Sequence, residues 1–285
     1  MFIKIFRYAN VINIYNKYAD CLYLCSMKKD FLNILLVQHN IVLGDIESNL
    51  KHIDNMLVSL SQKADIIVLT EMFSTGFTMK PEIFAEPVDG KTVKWLQAKA
   101  KELNSAFVAS VMIDDNGKYY NRAFFVFPNG EYLYYNKRHL FGYGGEDKKF
   151  EAGKSRLVVE YLGWRICPLV CYDLRFPVWS RNCNDYDLLI YMASWDSARQ
   201  NVWNVLPVAR AIENQCYVAT VNRVGNDKTG NYSGKSKIVN PLGKTLVQSV
   251  LNQECLTFGE ISLTQLQNIR KKFPFLNDGD KFCIM

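Results

Sequence analysis

The stretch Trp164–Pro177 reads WRICPLVCYDLRFP. Its first half is largely apolar and is typical of a buried β-strand that ends at Cys171. Polar residues and Pro177 follow at once, so the chain turns there. A strand holds a thiol in place, and the turn after it offers backbone N–H groups. Cys171 is therefore a candidate nucleophile, although a strand-end cysteine taken alone is more often a small buried hydrophobe.

Apolar runs and turn residues on both sides of this stretch predict alternating strands and helices. Turns at 115–117 and 128–130 place antiparallel hairpins among them. This pattern predicts an α/β or mixed α+β fold whose sheets are covered by helices. The predicted helices are 45–63, 92–103, 202–214 and 263–272, and the predicted strands are 31–39, 66–70, 107–113, 123–127, 131–135, 157–161, 164–170, 187–192, 216–222 and 236–239.

The composition is that of a globular protein with a sizeable core. The chain has 285 residues, of which 49% are hydrophobic and 22% are charged, and it contains neither a repeat nor a low-complexity linker. We therefore expect a single main domain over residues 31–285. The net charge is +6, and the first thirty residues supply half of it, with five basic against two acidic side chains. The remainder is nearly balanced, so charge gives little support for a nucleic-acid partner.

The cysteine and histidine pattern favours neither a metal site nor a disulfide framework. Eight cysteines are scattered without a CxxC pair, and only three histidines are present. We expect no metal ion and reduced thiols, as in a cytoplasmic protein.

Residues 1–30 differ from the rest and are predicted to be an N-terminal extension. They are aromatic and aliphatic, but asparagines and Lys17 interrupt every apolar run, so a transmembrane helix is not expected. Three interpretations stay open. The segment is an over-extended translation upstream of Met27 or a poorly ordered extension, an additional helix, or a targeting segment.

Two further reactive side chains follow predicted strands in the same way as Cys171. Glu71 comes after the strand IIVLT, and Lys137 comes after EYLYYN. Ligands bind beyond the carboxyl ends of strands in α/β sheets, so the three residues could meet there. A carboxylate could take the thiol proton, and an ammonium could stabilise a tetrahedral intermediate. Each residue also has a structural interpretation, with Glu71 as a turn residue and Lys137 as a solvated surface residue.

The surrounding motifs resemble those of the nitrilase superfamily of carbon–nitrogen hydrolases, in the same order along the chain from about residue 31 to residue 272. The resemblance implies an α-β-β-α sandwich and a catalytic set in which Glu71 is the general base, Lys137 the electrostatic stabiliser and Cys171 the nucleophile. The family's second glutamate best matches Glu146. The motifs are Leu69–Phe77 (LTEMFSTGF), Asn136–Phe141 (NKRHLF), Leu169–Pro177 (LVCYDLRFP), Ala209–Asn214 (ARAIEN) and Val239–Gly243 (VNPLG).

The finer motif CYDLRFPVWSRN is similar to that of the omega-amidase branch. This likeness implies hydrolysis of the terminal amide of 2-oxo acids such as 2-oxoglutaramate and 2-oxosuccinamate. Arg199 could pair with the substrate carboxylate, or could be a surface salt-bridge partner. Arg175 is expected to hold the turn through an internal salt bridge. Aromatic side chains expected at the pocket walls are Phe141, Tyr143 and Trp195.

The implied mechanism uses a cysteine thioester, with water as the second substrate and no metal or organic cofactor. Tyr172 supplies a backbone N–H for the oxyanion beside Lys137. A Cys–His dyad through His139 is the alternative, because His139 and Lys137 are two residues apart and would face the same side of a strand. The family resemblance also implies a homodimer with residues 176–182 near the interface.

Other functions on the same scaffold stay open at this point. The chain could be a nitrilase, an N-carbamoyl amino acid amidohydrolase or an aliphatic amidase. It could also be a partner-binding module with a vestigial site, although the presence of Glu71, Lys137 and Cys171 argues against that.

Overall fold

The fold consists of two β-sheets that lie face to face, with helices on their outer faces. The computed structural model describes residues 28–282 and 284. The strands in chain order are β1 Phe31–Gln38, β2 Ile66–Val68, β3 Glu86–Pro87, β4 Ala106–Asp115, β5 Lys118–Val126, β6 Tyr132–Asn136, β7 Val159–Tyr161, β8 Trp164–Val170, β9 Leu188–Ala193, β10 Tyr217–Asn222, β11 Val224–Asp227, β12 Gly230–Ser233, β13 Lys237–Val239, β14 Thr245–Gln248 and β15 Cys255–Ser262.

The first sheet has the order β15-β1-β2-β4-β5-β6, with β3 beside β4, and the second has the order β14-β13-β10-β9-β8-β7. Strands β11 and β12 form a separate hairpin. In each sheet the central strands are parallel: β1, β2 and β4 in the first, and β8, β9 and β10 in the second. Antiparallel strands extend both sheets, and only the short β3 beside β4 adds another parallel pair in the first sheet of the described chain. The mixed topology predicted from the hairpin turns is therefore confirmed.

Side chains on successive residues of the central strands enter different cores. In β1, Ile34 and Leu36 belong to the core between the two sheets, whereas Leu35 and Val37 pack on the helix side. Both faces of the strand are therefore buried, which explains why its sequence is a continuous apolar run rather than an alternating one.

Helices form the outer layers and complete an α-β-β-α sandwich, as the family resemblance implied. They are α1 Ile46–Val58, α2 Pro81–Phe84, α3 Lys91–Leu103, α4 Gln200–Glu213 and α5 Leu263–Lys272. Buried residues of α1 and α3, such as Ile53 and Leu96, cover the first sheet. Trp203 of α4 and Leu266 of α5 belong to the core that includes the second sheet.

The structure differs from the predicted elements in several places. The short elements α2, β3, β11, β12 and β14 were not predicted. Helix α1 ends at Val58, not at residue 63, and Leu60 still packs against the helix-side core from the following loop. Strand β15 was not predicted, because Gly259 interrupts an otherwise strand-like segment. A Cβ atom at position 259 would lie 2.6 Å from Ile238 Cδ1 and 2.9 Å from Val247 Cγ2, so a larger residue there would require these side chains to shift.

The N-terminal end of the described chain packs on the domain. Lys29 forms an ion pair with Asp65, with 2.6 Å between Nζ and Oδ1, and Asp30 accepts a hydrogen bond from the backbone N–H of Thr264 in α5. Residues 1–27 of the predicted extension, which include the proposed start at Met27, lie outside the described residues.

The topology brings several strand ends to one edge of the sandwich. Strand β6 is antiparallel to β5, which is antiparallel to β4, so β6 ends at the same edge as β2 and β4. In the second sheet, β8 and β9 are parallel and end together. Glu71, Lys137 and Cys171 therefore come from different strands and reach one place.

Candidate active site

Cys171 lies at a tight bend directly after β8. Its φ angle is +44°, in the left-handed region that non-glycine residues rarely adopt. A 3-10 turn, Cys171–Arg175, follows immediately. Strained backbone of this kind is held only where the surroundings fix it, and it is often found at functional sites. The bend places the thiol beyond the strand edge, in the wall of a cavity of about 590 Å³.

Glu71 follows β2 and is fully buried. Its Oε1 atom accepts hydrogen bonds from Lys137 Nζ at 2.8 Å and from Asn121 Nδ2 at 2.9 Å. Its Oε2 atom accepts the backbone N–H of Ser194 at 2.9 Å, which ties this first-sheet residue to the end of β9 in the second sheet. The carboxylate is therefore oriented from both sheets.

Lys137 lies between two carboxylates. Its Nζ atom donates to Glu71 and also to Glu146, with 2.8 Å to Glu146 Oε2. The same Glu146 oxygen accepts the backbone N–H of Phe141 at 2.6 Å. All three charged side chains are buried, so each depends on these partners in place of water.

Burial and mutual charge set the protonation states in this cluster. Burial alone would lower the pKa of Lys137, but the carboxylates of Glu146 and Glu71 raise it above its ordinary value, so the residue stays an ammonium. Burial raises the pKa of Glu146, and the Glu71 charge adds to this effect while Lys137 opposes it. Burial and the Glu71 carboxylate raise the pKa of the Cys171 thiol well above its usual range, against the attraction of Lys137. The thiol is therefore protonated at rest and needs a base when it attacks.

Asp173 joins the bend after β8 to the segment that carries Lys137. Its Oδ2 atom accepts hydrogen bonds from the Tyr135 hydroxyl at 2.8 Å and from the backbone N–H of Val170 at 3.0 Å. Its Oδ1 atom accepts the backbone N–H of His139 at 3.0 Å and lies 2.8 Å from His139 Nδ1. One buried carboxylate thus holds the nucleophile and the lysine in fixed register across the two sheets.

His139 occupies a supporting position in this arrangement. Its ring stacks on Phe176 with the ring centroids 3.7 Å apart, and Nδ1 is engaged by Asp173. Within residues 28–282, no hydrogen bond joins His139 to Cys171. The geometry therefore favours the carboxylate of Glu71 over a histidine as the base.

The residues predicted for substrate recognition all line the cavity in front of Cys171. Trp195 is buried, whereas Tyr143 is 92% exposed at the entrance. Tyr172 also lines the cavity, with its ring centroid 5.0 Å from that of Phe141. The Arg199 guanidinium lies 5.2 Å from the Phe141 ring centroid and has no ion-pair partner in the described part of the chain.

The expected internal salt bridge of Arg175 is wrong. Its guanidinium stacks over Trp195, 5.2 Å from the ring centroid, and pairs with no carboxylate of the described residues. Arg175 instead lines the cavity, together with Lys228 from the tip of the β11–β12 hairpin. The sequence alone does not show this role, because the side chain of an arginine four residues after the candidate nucleophile can point into either the protein or the cavity.

Asn121 and Ser194 were also missed by the sequence argument. Asn121 is buried in β5 and donates to both Glu71 and Glu146. The available signal was an asparagine just before the predicted strand 123–127. In the structure it lies inside β5, where a buried polar side chain requires a partner. Ser194 acts through its backbone N–H, which no sequence pattern reveals.

A family model described as carbon–nitrogen hydrolase matches residues 34–271. The chain belongs to this carbon–nitrogen hydrolase family. Among its relatives is the omega-amidase YafV of Escherichia coli K12, which is 44% identical over 252 residues, 88% of this chain and 98% of that protein. A 2-oxoglutaramate amidase of Bacillus subtilis is 31% identical over 250 residues, 86% of this chain and 96% of that protein.

A solved structure shows the same fold for a family member. A CN-hydrolase superfamily protein of Xanthomonas campestris, which carries an arsenic adduct in its active site, superposes with a TM-score of 0.87 at 39% identity and covers 90% of this chain and 100% of its own. Among the residues that the structure describes, no helix has the length and apolar character needed to span a bilayer.

Proposed function

We propose that this carbon–nitrogen hydrolase cleaves the terminal amide of small 2-oxo dicarboxylic acid monoamides, such as 2-oxoglutaramate and 2-oxosuccinamate, to the acid and ammonia. The observation that carries the proposal is the Cys171 thiol beside a buried carboxylate–ammonium cluster, in the wall of a cavity that is also lined by two guanidinium groups without an ion-pair partner among the described residues. The names of the Escherichia coli and Bacillus subtilis relatives support this substrate class.

In the first half-reaction, Glu71 takes the proton of Cys171 while the sulfur attacks the amide carbon. The ammonium of Lys137 and the backbone N–H of Tyr172 stabilise the oxyanion. The tetrahedral intermediate then collapses, Glu71 gives its proton to the leaving nitrogen, and ammonia departs. The acyl group remains on Cys171 as a thioester.

In the second half-reaction, Glu71 takes a proton from water, which attacks the thioester carbon. Collapse of the second tetrahedral intermediate breaks the carbon–sulfur bond, and the proton held by Glu71 returns to the thiolate. The carboxylic acid leaves and the starting state is restored. Glu146 keeps Lys137 oriented throughout, since it accepts hydrogen bonds from Nζ through both carboxylate oxygens.

Recognition of the substrate carboxylate is assigned to Arg175 and Arg199. Both guanidinium groups line the cavity without an ion-pair partner among the described residues, and both have a planar donor face suited to a carboxylate. Phe141, Tyr143 and Trp195 form apolar walls around the carbon chain. A substrate with an amide at one end and a carboxylate at the other fits a cavity that is lined both by Cys171 and by the two arginines.

Ammonia release across a panel of substrates tests the proposal. We expect 2-oxoglutaramate and 2-oxosuccinamate to be hydrolysed faster than a simple aliphatic amide, an N-carbamoyl amino acid and a nitrile. Cys171→Ala should abolish release while its thermal unfolding stays cooperative. Faster turnover of an N-carbamoyl or nitrile substrate would show that the assigned substrate class is wrong. Ammonia release by Cys171→Ala at the wild-type rate would show that Cys171 is not the nucleophile.

We also propose that the protein works as a homodimer in the cytoplasm. Val205 and Ile212 are exposed on α4, two helical turns apart and therefore on one face, and exposed apolar side chains of this kind favour association. The cytoplasm would keep the Cys171 thiol reduced. Light scattering should give a dimer for the wild type and a monomer for Val205→Glu, and a monomeric wild type would contradict the assembly.

A further inference from the structure

Asn121 contacts both carboxylates of the buried cluster but takes no part in the two half-reactions. This side chain is 0% exposed, and its Nδ2 atom donates to Glu71 Oε1 and to Glu146 Oε1, both at 2.9 Å. An amide nitrogen carries two hydrogens, and each of them is directed at one of the two buried carboxylates. Asn121 therefore bridges the same carboxylates that Lys137 bridges.

A second set of hydrogen bonds fixes the orientation of this amide. Asn121 Oδ1 accepts the Ser110 hydroxyl at 2.6 Å, and Ser110 Oγ in turn accepts the backbone N–H of Met72 at 3.1 Å. A flipped amide would place Oδ1 against two carboxylates and lose the Ser110 bond. Because Met72 follows Glu71 directly, the same relay also holds the backbone that carries Glu71.

We propose that Asn121 is a positioning residue that holds the Glu71 base in place and links it to Glu146 through one amide nitrogen; this inference rests on the proposed function. Two carboxylates and one ammonium leave a net negative charge in a buried space, and such a pair needs further donors. A neutral double donor stabilises both carboxylates without adding a second cation. It also gives Glu146 Oε1 a second donor beside the ammonium of Lys137.

The mechanism predicts a change in acid–base behaviour in addition to any loss of structure. A hydrogen bond to an ionised carboxylate favours that form, so its removal makes protonation of the Cys171–Glu71 pair easier. The other titratable and charged groups that act on this pair are Lys137, Glu146 and Tyr232. None of these residues is replaced in a substitution at Asn121, and Glu146 loses only the hydrogen bond that Asn121 donates to it.

The test is the pH dependence of iodoacetamide alkylation at Cys171, followed by peptide mass in Asn121→Ser and Asn121→Asp. We expect the acid limb of the profile of alkylation rate against pH to move to higher pH by about one unit in Asn121→Ser. This shift is equivalent to the loss of one charge-assisted hydrogen bond. Asn121→Asp should move it further, because a third carboxyl group adds like charge. Ser110→Ala should give a smaller shift in the same direction.

Asn182→Ser is the matched control. Asn182 is also a buried asparagine whose amide makes two hydrogen bonds, to the backbone carbonyls of Tyr186 and Asn214. Its substitution should lower thermal stability without moving the acid limb.

If folded Asn121→Ser and the wild type have the same acid limb in the alkylation profile, the proposal is wrong. If Asn121→Asp fails to fold, the serine variant and Ser110→Ala decide. Alkylation needs no amide substrate, so a wrong substrate assignment would appear only in the ammonia assay.

Discussion

The floor and the entrance of the cavity are built on opposite principles. At the floor, Glu71, Lys137 and Glu146 are buried, and each charge is held by several hydrogen bonds. At the entrance, Arg175 and Arg199 stack on aromatic rings and have no ion-pair partner in the described residues. The floor is fixed before the substrate arrives, whereas the entrance keeps its charge available for the substrate.

This difference separates chemistry from recognition along the cavity. A fixed floor keeps donors and the base in place, so little reorganisation is needed as charge develops on the substrate. Unpaired guanidinium groups can bind a carboxylate without first breaking an internal ion pair. Substitutions at the floor should therefore lower kcat, and substitutions at the entrance should raise KM.

The largest effect is expected at the floor, from Glu71→Gln. The amide preserves the shape of the side chain but cannot accept the proton of Cys171, so kcat should fall about 10³-fold, within the range for loss of a general base. Steady-state ammonia release measures this effect. Glu151→Gln, an exposed glutamate in the same region, is the control and should keep the wild-type rate. If Glu71→Gln kept more than a tenth of the wild-type kcat, the assignment of Glu71 as the general base would be wrong.

A smaller effect, on KM, is expected at the entrance from Arg175→Ala and Arg199→Ala. Loss of a hydrogen bond to a charged group costs about 1.5–3 kcal/mol, which is about a tenfold to hundredfold rise in KM for 2-oxoglutaramate. A simple amide without a carboxylate should be hydrolysed as by the wild type. Arg175→Lys and Arg199→Lys keep the charge and should recover part of the affinity. If kcat fell while KM stayed unchanged, these arginines would act in the catalytic steps and not in substrate binding.

The smallest effect is expected on the pH dependence of the free energy of unfolding. It comes from His39, which lies next to the floor of the cavity. This ring is buried, with Nε2 at 3.0 Å from the hydroxyl of Thr70, the residue before Glu71. Burial lowers the pKa of His39 to about 4, against the Asn40 carbonyl, which raises it. The unfolded chain, with a histidine pKa of about 6.5, binds a proton at higher pH than the folded protein does. Stability from this group is therefore lost as pH falls from 6.5 towards 4.

Denaturant unfolding at pH 6.5 and pH 4.5 measures that loss. The wild type should lose about 2 kcal/mol more than His39→Asn, which carries no titrating ring. Equal losses in the two proteins would mean that His39 is not held neutral beneath the floor.

The sequence located the reactive groups better than it located their supports. Glu71, Lys137 and Cys171 stand at the ends of predicted strands inside recognisable motifs, so their convergence could be predicted. Asn121 reaches Glu71 across 50 positions of sequence through the pairing of β4 and β5. No spacing within one segment shows such a contact. Asp173 and the backbone N–H of Ser194 act across the two sheets and are hidden in the same way.

The fold was predictable where apolar runs are buried on both faces, as in β1 and β8. It was not predictable at the edge of the first sheet, where β15 has mostly half-buried side chains and a central glycine. The close contact at Gly259 comes from the side chain of Ile238, which belongs to the second sheet. Such a tertiary constraint has no counterpart in local sequence periodicity.

The most direct test of the account is intact-mass analysis after rapid acid quenching with 2-oxoglutaramate. The central claim is that Glu71 must take the Cys171 proton before the thioester can form. The account predicts an adduct on wild-type Cys171 with the mass of the substrate minus ammonia, and no adduct in Glu71→Gln. Acylation of Cys171 in Glu71→Gln at the wild-type rate would contradict it.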